Sequence, residues 1–95
     1  MANVKMQGND IRDKSGKKIG YIRGEDIRDS SGRKIGYVRG DDIRDHSGRK
    51  IGYVSGSDIR DSSGRKVGSI NDARKAIDGG YGGVILAAVW LFFVR

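Results

Sequence analysis

The chain has no cysteine, no proline and only one histidine, His46. Without cysteine there is no disulfide, no thiolate metal site and no thiol nucleophile. A single histidine without partners makes no histidine-based metal site. Met1–Asp10 carries no apolar core, so no secretory signal peptide is expected there. Aromatic residues are few, and the one long apolar run lies at the C-terminus, Val84–Val94. Ninety-five residues suffice for one compact domain. The net charge of +7 favours anionic partners in a general way, such as phospholipid or nucleic acid. The charges are mixed, however: through residue 72 sixteen Lys/Arg face eleven Asp/Glu, which describes a solvated surface more than a basic tract.

What the chain does have is repetition. The stretch Asp26-Ile27-Arg28-Asp29-Ser30-Ser31-Gly32-Arg33-Lys34-Ile35-Gly36-Tyr37-Val38-Arg39-Gly40 recurs every sixteen residues, with Ile11, Ile27, Ile43 and Ile59 in register. Three glycine series follow the same period: Gly8/24/40/56, Gly16/32/48/64 and Gly20/36/52/68. A fixed period marks a repeat architecture built from one small unit.

Each unit reads as two strands and two turns. Arg39-Gly40-Asp41-Asp42 suits a type II′ hairpin, because glycine comes first, where φ is positive. That register sets Arg39 against Asp42 as an ion pair, Val38 against Ile43, and Tyr37 against Arg44 with the guanidinium on the ring. Asp45-His46-Ser47-Gly48 suits a three-residue loop with a G1 bulge, which pairs Asp45 with Arg49 and Ile43 with Ile51. Ile51 and Val54 then have opposite parity though both are apolar. A bulge or bend at Gly52 and its equivalents Gly20, Gly36 and Gly68 resolves the conflict. The expected inward set is Met6, Ile11, Ile19, Ile22, Ile27, Ile35, Val38, Ile43, Ile51, Val54, Ile59, Val67 and Ile70. Tyr21, Tyr37 and Tyr53 form an outward row.

The G-x-D-I-x-D-x-S-G-R-x-I-G-x-V spacing over residues 4–72 resembles the β-flower families, especially the four-fold form, in which short hairpins radiate like petals about an axis. The resemblance implies an all-β fold of four ~16-residue hairpins in a pseudo-fourfold flower, in a bacterial or phage-borne protein. It implies no activity.

Residues 73–95 break the register and set the boundary between a repeat domain, 1–72, and a C-terminal hydrophobic α-helix. Asn71-Asp72 is expected to cap a helix that begins at Ala73. The run Val84, Ile85, Leu86, Ala87, Ala88, Val89, Trp90, Leu91, Phe92, Phe93, Val94 has no polar face, so it must be wholly buried, in protein or in lipid. Its eleven residues span ~16 Å as a helix, short of a ~30 Å hydrocarbon core, but a helix running from Ala73 to Arg95 through the glycines would suffice. Gly79 and Gly83 have the spacing of close membrane-helix contacts, or mark a hinge. Three fates are open: membrane anchor, core of an oligomer or filament, or packing on its own domain. As an anchor it would set Arg74, Lys75 and the basic repeat domain at the cytoplasmic face.

Little else points to chemistry. His46 occupies a turn position held elsewhere by Lys14, Ser30 and Ser62. The repeated aspartates that suggest calcium are already explained by turn geometry and crowded by Arg28 and Arg33. Ser30-Ser31-Gly32 has no base beside it, and no glycine series leads into a helix as a phosphate loop does. The expectation is a non-enzyme without cofactor: a membrane-anchored scaffold or interaction module assembling through its tail, with lipid, its own copies or another protein as partners. The alternatives are a self-assembling filament or shell, and a basic nucleic-acid-binding module using Tyr21, Tyr37, Tyr53, Arg28, Arg44 and Arg60.

Overall fold

The fold, taken from a computed structural model, is described for residues 4–79 and 82–94. Nine strands run as an antiparallel meander, each hydrogen-bonded to the next. They are β1 (Val4–Gln7), β2 (Asp10–Asp13), β3 (Lys18–Arg23), β4 (Asp26–Asp29), β5 (Lys34–Arg39), β6 (Asp42–Asp45), β7 (Lys50–Ser55), β8 (Asp58–Asp61) and β9 (Lys66–Ser69). Helix α1 (Ile70–Ala76) follows, then β10 (Ile77–Asp78), which pairs parallel with β1. Helix α2 (Gly83–Val89) continues without a break into a π-helical turn, Trp90–Val94. The molecule is flattened, 33 × 29 × 18 Å.

Both turns form as their residues dictate. Gly24, Gly40 and Gly56 have φ 61, and among the described residues no non-glycine has positive φ, so the hairpin tips are of the type II′ kind. At the other turn Gly48 lies at φ 93, its N–H donates to the Asp45 carbonyl and the Asp45 N–H donates to the Arg49 carbonyl. Asp45 Oδ1 accepts from the Ser47 hydroxyl (2.7 Å) and from the N–H groups of Ser47 and Arg49. The same set recurs at Asp13, Asp29 and Asp61.

The register corrects one expectation. Ile43 pairs with Gly52, not Ile51, and Arg44 with Lys50, so the extra residue is Ile51 itself, one position before the glycine. Ile19, Ile35 and Val67 bulge likewise. These four are half-buried, as are Val54 and Ile70, whereas Met6, Ile11, Ile22, Ile27, Val38, Ile43 and Ile59 form the buried wall.

The count of positions is five, not four. Four complete hairpins are followed by a fifth unit in which α1 replaces the hairpin tip between Ile70 and Ile77, the counterparts of Val38 and Ile43. Ser69, at the position of Tyr53, caps α1: its hydroxyl accepts from the Asp72 N–H (3.1 Å) and the Asp72 carboxylate accepts from its N–H (3.0 Å). The helix therefore starts three residues before Ala73, where the sequence placed it.

No single helix runs from Ala73 onward. Gly79 (φ 72) follows β10 and Gly83 (φ 61) opens α2, both in left-handed backbone, so they are not stacked on one helix face. Gly80, Tyr81 and Arg95 of that expected helix lie outside the described residues. Among the described residues no helix is long and apolar enough to cross a membrane. Instead the tail shares one core with the petals: Leu86, Ala87, Ala88 and Val89 are all buried with Ile11, Ile27, Ile43 and Ile59.

Candidate functional site

The tail meets the petals at the third glycine series. A Cβ built on Gly68 would lie 2.5 Å from Trp90 Cη2; one on Gly52 would lie 3.2 Å from Leu91 Cδ1; one on Gly20 would lie 2.7 Å from Phe93 Cζ. Phe92 Cζ presses on Gly36 in the same way. Four consecutive residues thus each cover one glycine, and each step along the tail moves back one sixteen-residue unit. Side chains serving five positions around a circle must step by about 72°, whereas an α-helix steps by about 100°. Widening the hydrogen bonding to i→i+5 reduces that step, so the π-helical turn fits where an α-helix would not. The remaining position, in the first unit, has Val4 in the glycine's place, buried at 4% exposure.

These glycines are required by space, not by φ. At Gly20, Gly36 and Gly52 the carbonyl oxygen of Arg28, Arg44 or Arg60 also stands 2.6–2.7 Å from a would-be Cβ. Of the residues singled out in the tail, Leu86 and Val89 are buried, while Val84, Ile85, Trp90, Leu91, Phe92, Phe93 and Val94 are half-buried. Arg74 and Lys75 are exposed on the last turn of α1.

The outer wall carries a polar belt in place of an open Arg–Tyr face. Asp42 accepts from Arg44 Nη2 (2.9 Å) and pairs with Lys50 Nζ (3.3 Å); Arg44 Nη1 donates to the Gly48 carbonyl (2.8 Å). The arrangement repeats at Asp10, Asp26 and Asp58. Tyr37 does lie opposite Arg44, but the cation over its ring is Lys34 Nζ at 4.3 Å, three residues back on its own strand. Tyr21 and Tyr53 are covered likewise by Lys18 and Lys50. Arg28, Arg44 and Arg60 are therefore committed to their own units. Arg39 lies opposite Asp42 yet stays exposed and does not pair with it, because Arg44 and Lys50 already occupy that carboxylate.

The carboxylate environments are structural too. Asp13, Asp29, Asp45 and Asp61 are held below the usual carboxylate range, chiefly by the hydroxyls of Ser15, Ser31, Ser47 and Ser63. Asp42 is also lowered: desolvation pushes it up, but Lys50 and Arg44 outweigh that. A cleft of about 360 Å³ lies where β10 meets β1, lined by Lys5, Asp13, Lys14, Ser15 and Asp78 among others. Its serine donates to Asp13 as in the other three turns, which supplies a turn and not a nucleophile with its base. Among the described residues no three His, Asp or Glu side chains cluster to hold a metal.

A family model described as the 5-fold beta-flower protein matches residues 2–94, and the chain belongs to that family. The match embraces the tail as well as the repeats. No curated protein and no solved structure matches the chain.

Proposed function

We propose that this β-flower is a non-catalytic scaffold or interaction module, closed by its own tail and presenting its rim and poles to a partner. The observation that carries the reading is the seating of Trp90, Leu91, Phe92 and Phe93 on Gly68, Gly52, Gly36 and Gly20. It accounts for an all-apolar helix without a spanning anchor or an assembly core. The aspartates and serines of the repeated positions are engaged in turns and belts, which favours binding over chemistry. Nucleic-acid stacking on the tyrosines is disfavoured by the lysines that cover their rings.

Deleting Val84–Arg95 tests the plug. The plug reading expects loss of the cooperative thermal transition and aggregation of the truncated chain. A truncated chain that keeps its β-sheet circular dichroism and unfolding transition would mean that the tail is a separable anchor or assembly segment.

A further inference from the structure

We infer that the pole where the tail emerges docks on an anionic lipid surface, with the tail aromatics at the centre of the contact and the turn cations around it. This rests on the plug reading and names the partner of the module it describes.

The pole is located by the ends of the helix. Gly79 lies against the Met6 carbonyl, two residues before the Gly8 hairpin tip, and Gly82, just ahead of α2, lies beside Arg74 of α1, the helix that takes the place of the fifth tip. At the other end Phe93 and Phe92 sit on Gly20 and Gly36, midway between the tip glycines and the G1-turn glycines and so further toward the turns than the start of the helix. The helix therefore runs from the tip side to the turn side. Val89 is fully buried, whereas Trp90–Val94 are only half-buried, so the turn-side mouth presents partly exposed aromatic and aliphatic surface. The bulged residues that precede the ring glycines, Ile35 and its equivalents, are half-buried beside it.

Charge is divided unevenly between the two poles. The turn-side segments 12–18, 28–34, 44–50 and 60–66 hold thirteen Lys/Arg against four Asp, a surplus of nine. The other described residues hold five Lys/Arg against eight Asp/Glu. Arg33, Arg49 and Arg65 are exposed, in no ion pair among the described residues, and next to the turns that ring the mouth.

An apolar centre with a cationic rim matches a membrane interface, where aromatic side chains sit at headgroup level and each nearby cation gains from anionic lipid. A second copy facing this pole would bring two rims of the same sign together, which is unfavourable. A nucleic acid would satisfy the rim but leave the apolar centre without a counterpart.

Trp90 is the only tryptophan, so it reports on the mouth directly. The full chain is mixed with vesicles of phosphatidylcholine alone, or with about one-third phosphatidylserine, and followed by co-sedimentation and Trp90 emission. The expected result is binding to the anionic vesicles only, a blue shift of Trp90, and release by high salt. The triple substitution Arg33→Glu, Arg49→Glu, Arg65→Glu should weaken binding at least about tenfold while leaving the thermal transition in place. Equal binding to neutral vesicles, or binding without a Trp90 shift, would overturn the inference. So would a folded chain that ignores vesicles, pairs with itself through this pole, or binds an oligonucleotide in preference. Retention through an alkaline wash would instead show that the tail leaves the petals for the bilayer, which sinks the plug reading and this inference together.

Discussion

Trp90 stands on Gly68: its Cη2 lies 2.5 Å from where a Cβ on that glycine would be, and the atoms nearest that point all belong to the indole. At Gly36 the obstruction is double, because Phe92 shares the site with the Arg44 carbonyl oxygen at 2.6 Å. Gly68→Ala and Gly36→Ala should each destabilise by about 1–3 kcal/mol through overpacking. The second mutation at each site separates them. Trp90→Leu should relieve much of the Gly68→Ala loss, whereas Phe92→Leu leaves the carbonyl clash and relieves little of Gly36→Ala. Urea midpoints of the two double-mutant cycles measure this; equal coupling at both sites would contradict the geometry.

The turn glycines fail for another reason. Gly48 is at φ 93 with Tyr37 Oη 3.5 Å from a would-be Cβ, so the conformation rather than the space resists a side chain. Gly48→Ala should cost about 1–2 kcal/mol, and Gly48→Asn less, since asparagine tolerates left-handed backbone. Thermal unfolding of the two variants checks the order.

Acid should weaken the fold in a defined window. The lowered carboxyl groups of Asp13, Asp29, Asp45 and Asp61 bind fewer protons folded than unfolded, so their contribution is present above the unfolded value of about 3.9. It is lost as pH falls from about 4 through the folded values. Replacing Ser15, Ser31, Ser47 and Ser63 by alanine removes the largest cause of the shift. Stability at neutral pH should drop and its dependence on pH below 4 should flatten, as read from urea midpoints across pH.

Within the belt, arginine should matter more than lysine. Arg44 joins Asp42 to the Gly48 carbonyl and so ties a strand to a turn, whereas Lys50 pairs at 3.3 Å with its ammonium partly exposed and rests on Tyr53. Lys50→Met should cost under about 1 kcal/mol, and less in high salt. Arg44→Met should cost about 1–2 kcal/mol with weaker salt dependence, because the bond to the carbonyl is a charge-assisted hydrogen bond. Parallel denaturation at low and high salt distinguishes the two.

Local chemistry was legible in the amino-acid order. Glycine first at each tip demanded positive φ, Asp-x-Ser-Gly demanded the bulged loop, and the period carried both through four units. The apolar parity conflict between Ile51 and Val54 announced an extra residue near Gly52 and missed its place by one. The all-apolar run announced complete burial without saying in what. The fifth unit lost the repeat signature beyond Ile70, because α1, capped by Ser69 in a tyrosine's place, replaces the hairpin tip. That Trp90, Leu91, Phe92 and Phe93 descend one glycine per residue could not be read from period or composition. It depends on a ring closed in three dimensions, whose angular spacing selects a π-helical step and whose bare backbone leaves room for the rings. Residue order was enough to set the turns, the strands and the need to bury the tail. Where the tail is buried depends on the closed fold, because the surface that receives it comes into being when five separate segments surround one axis.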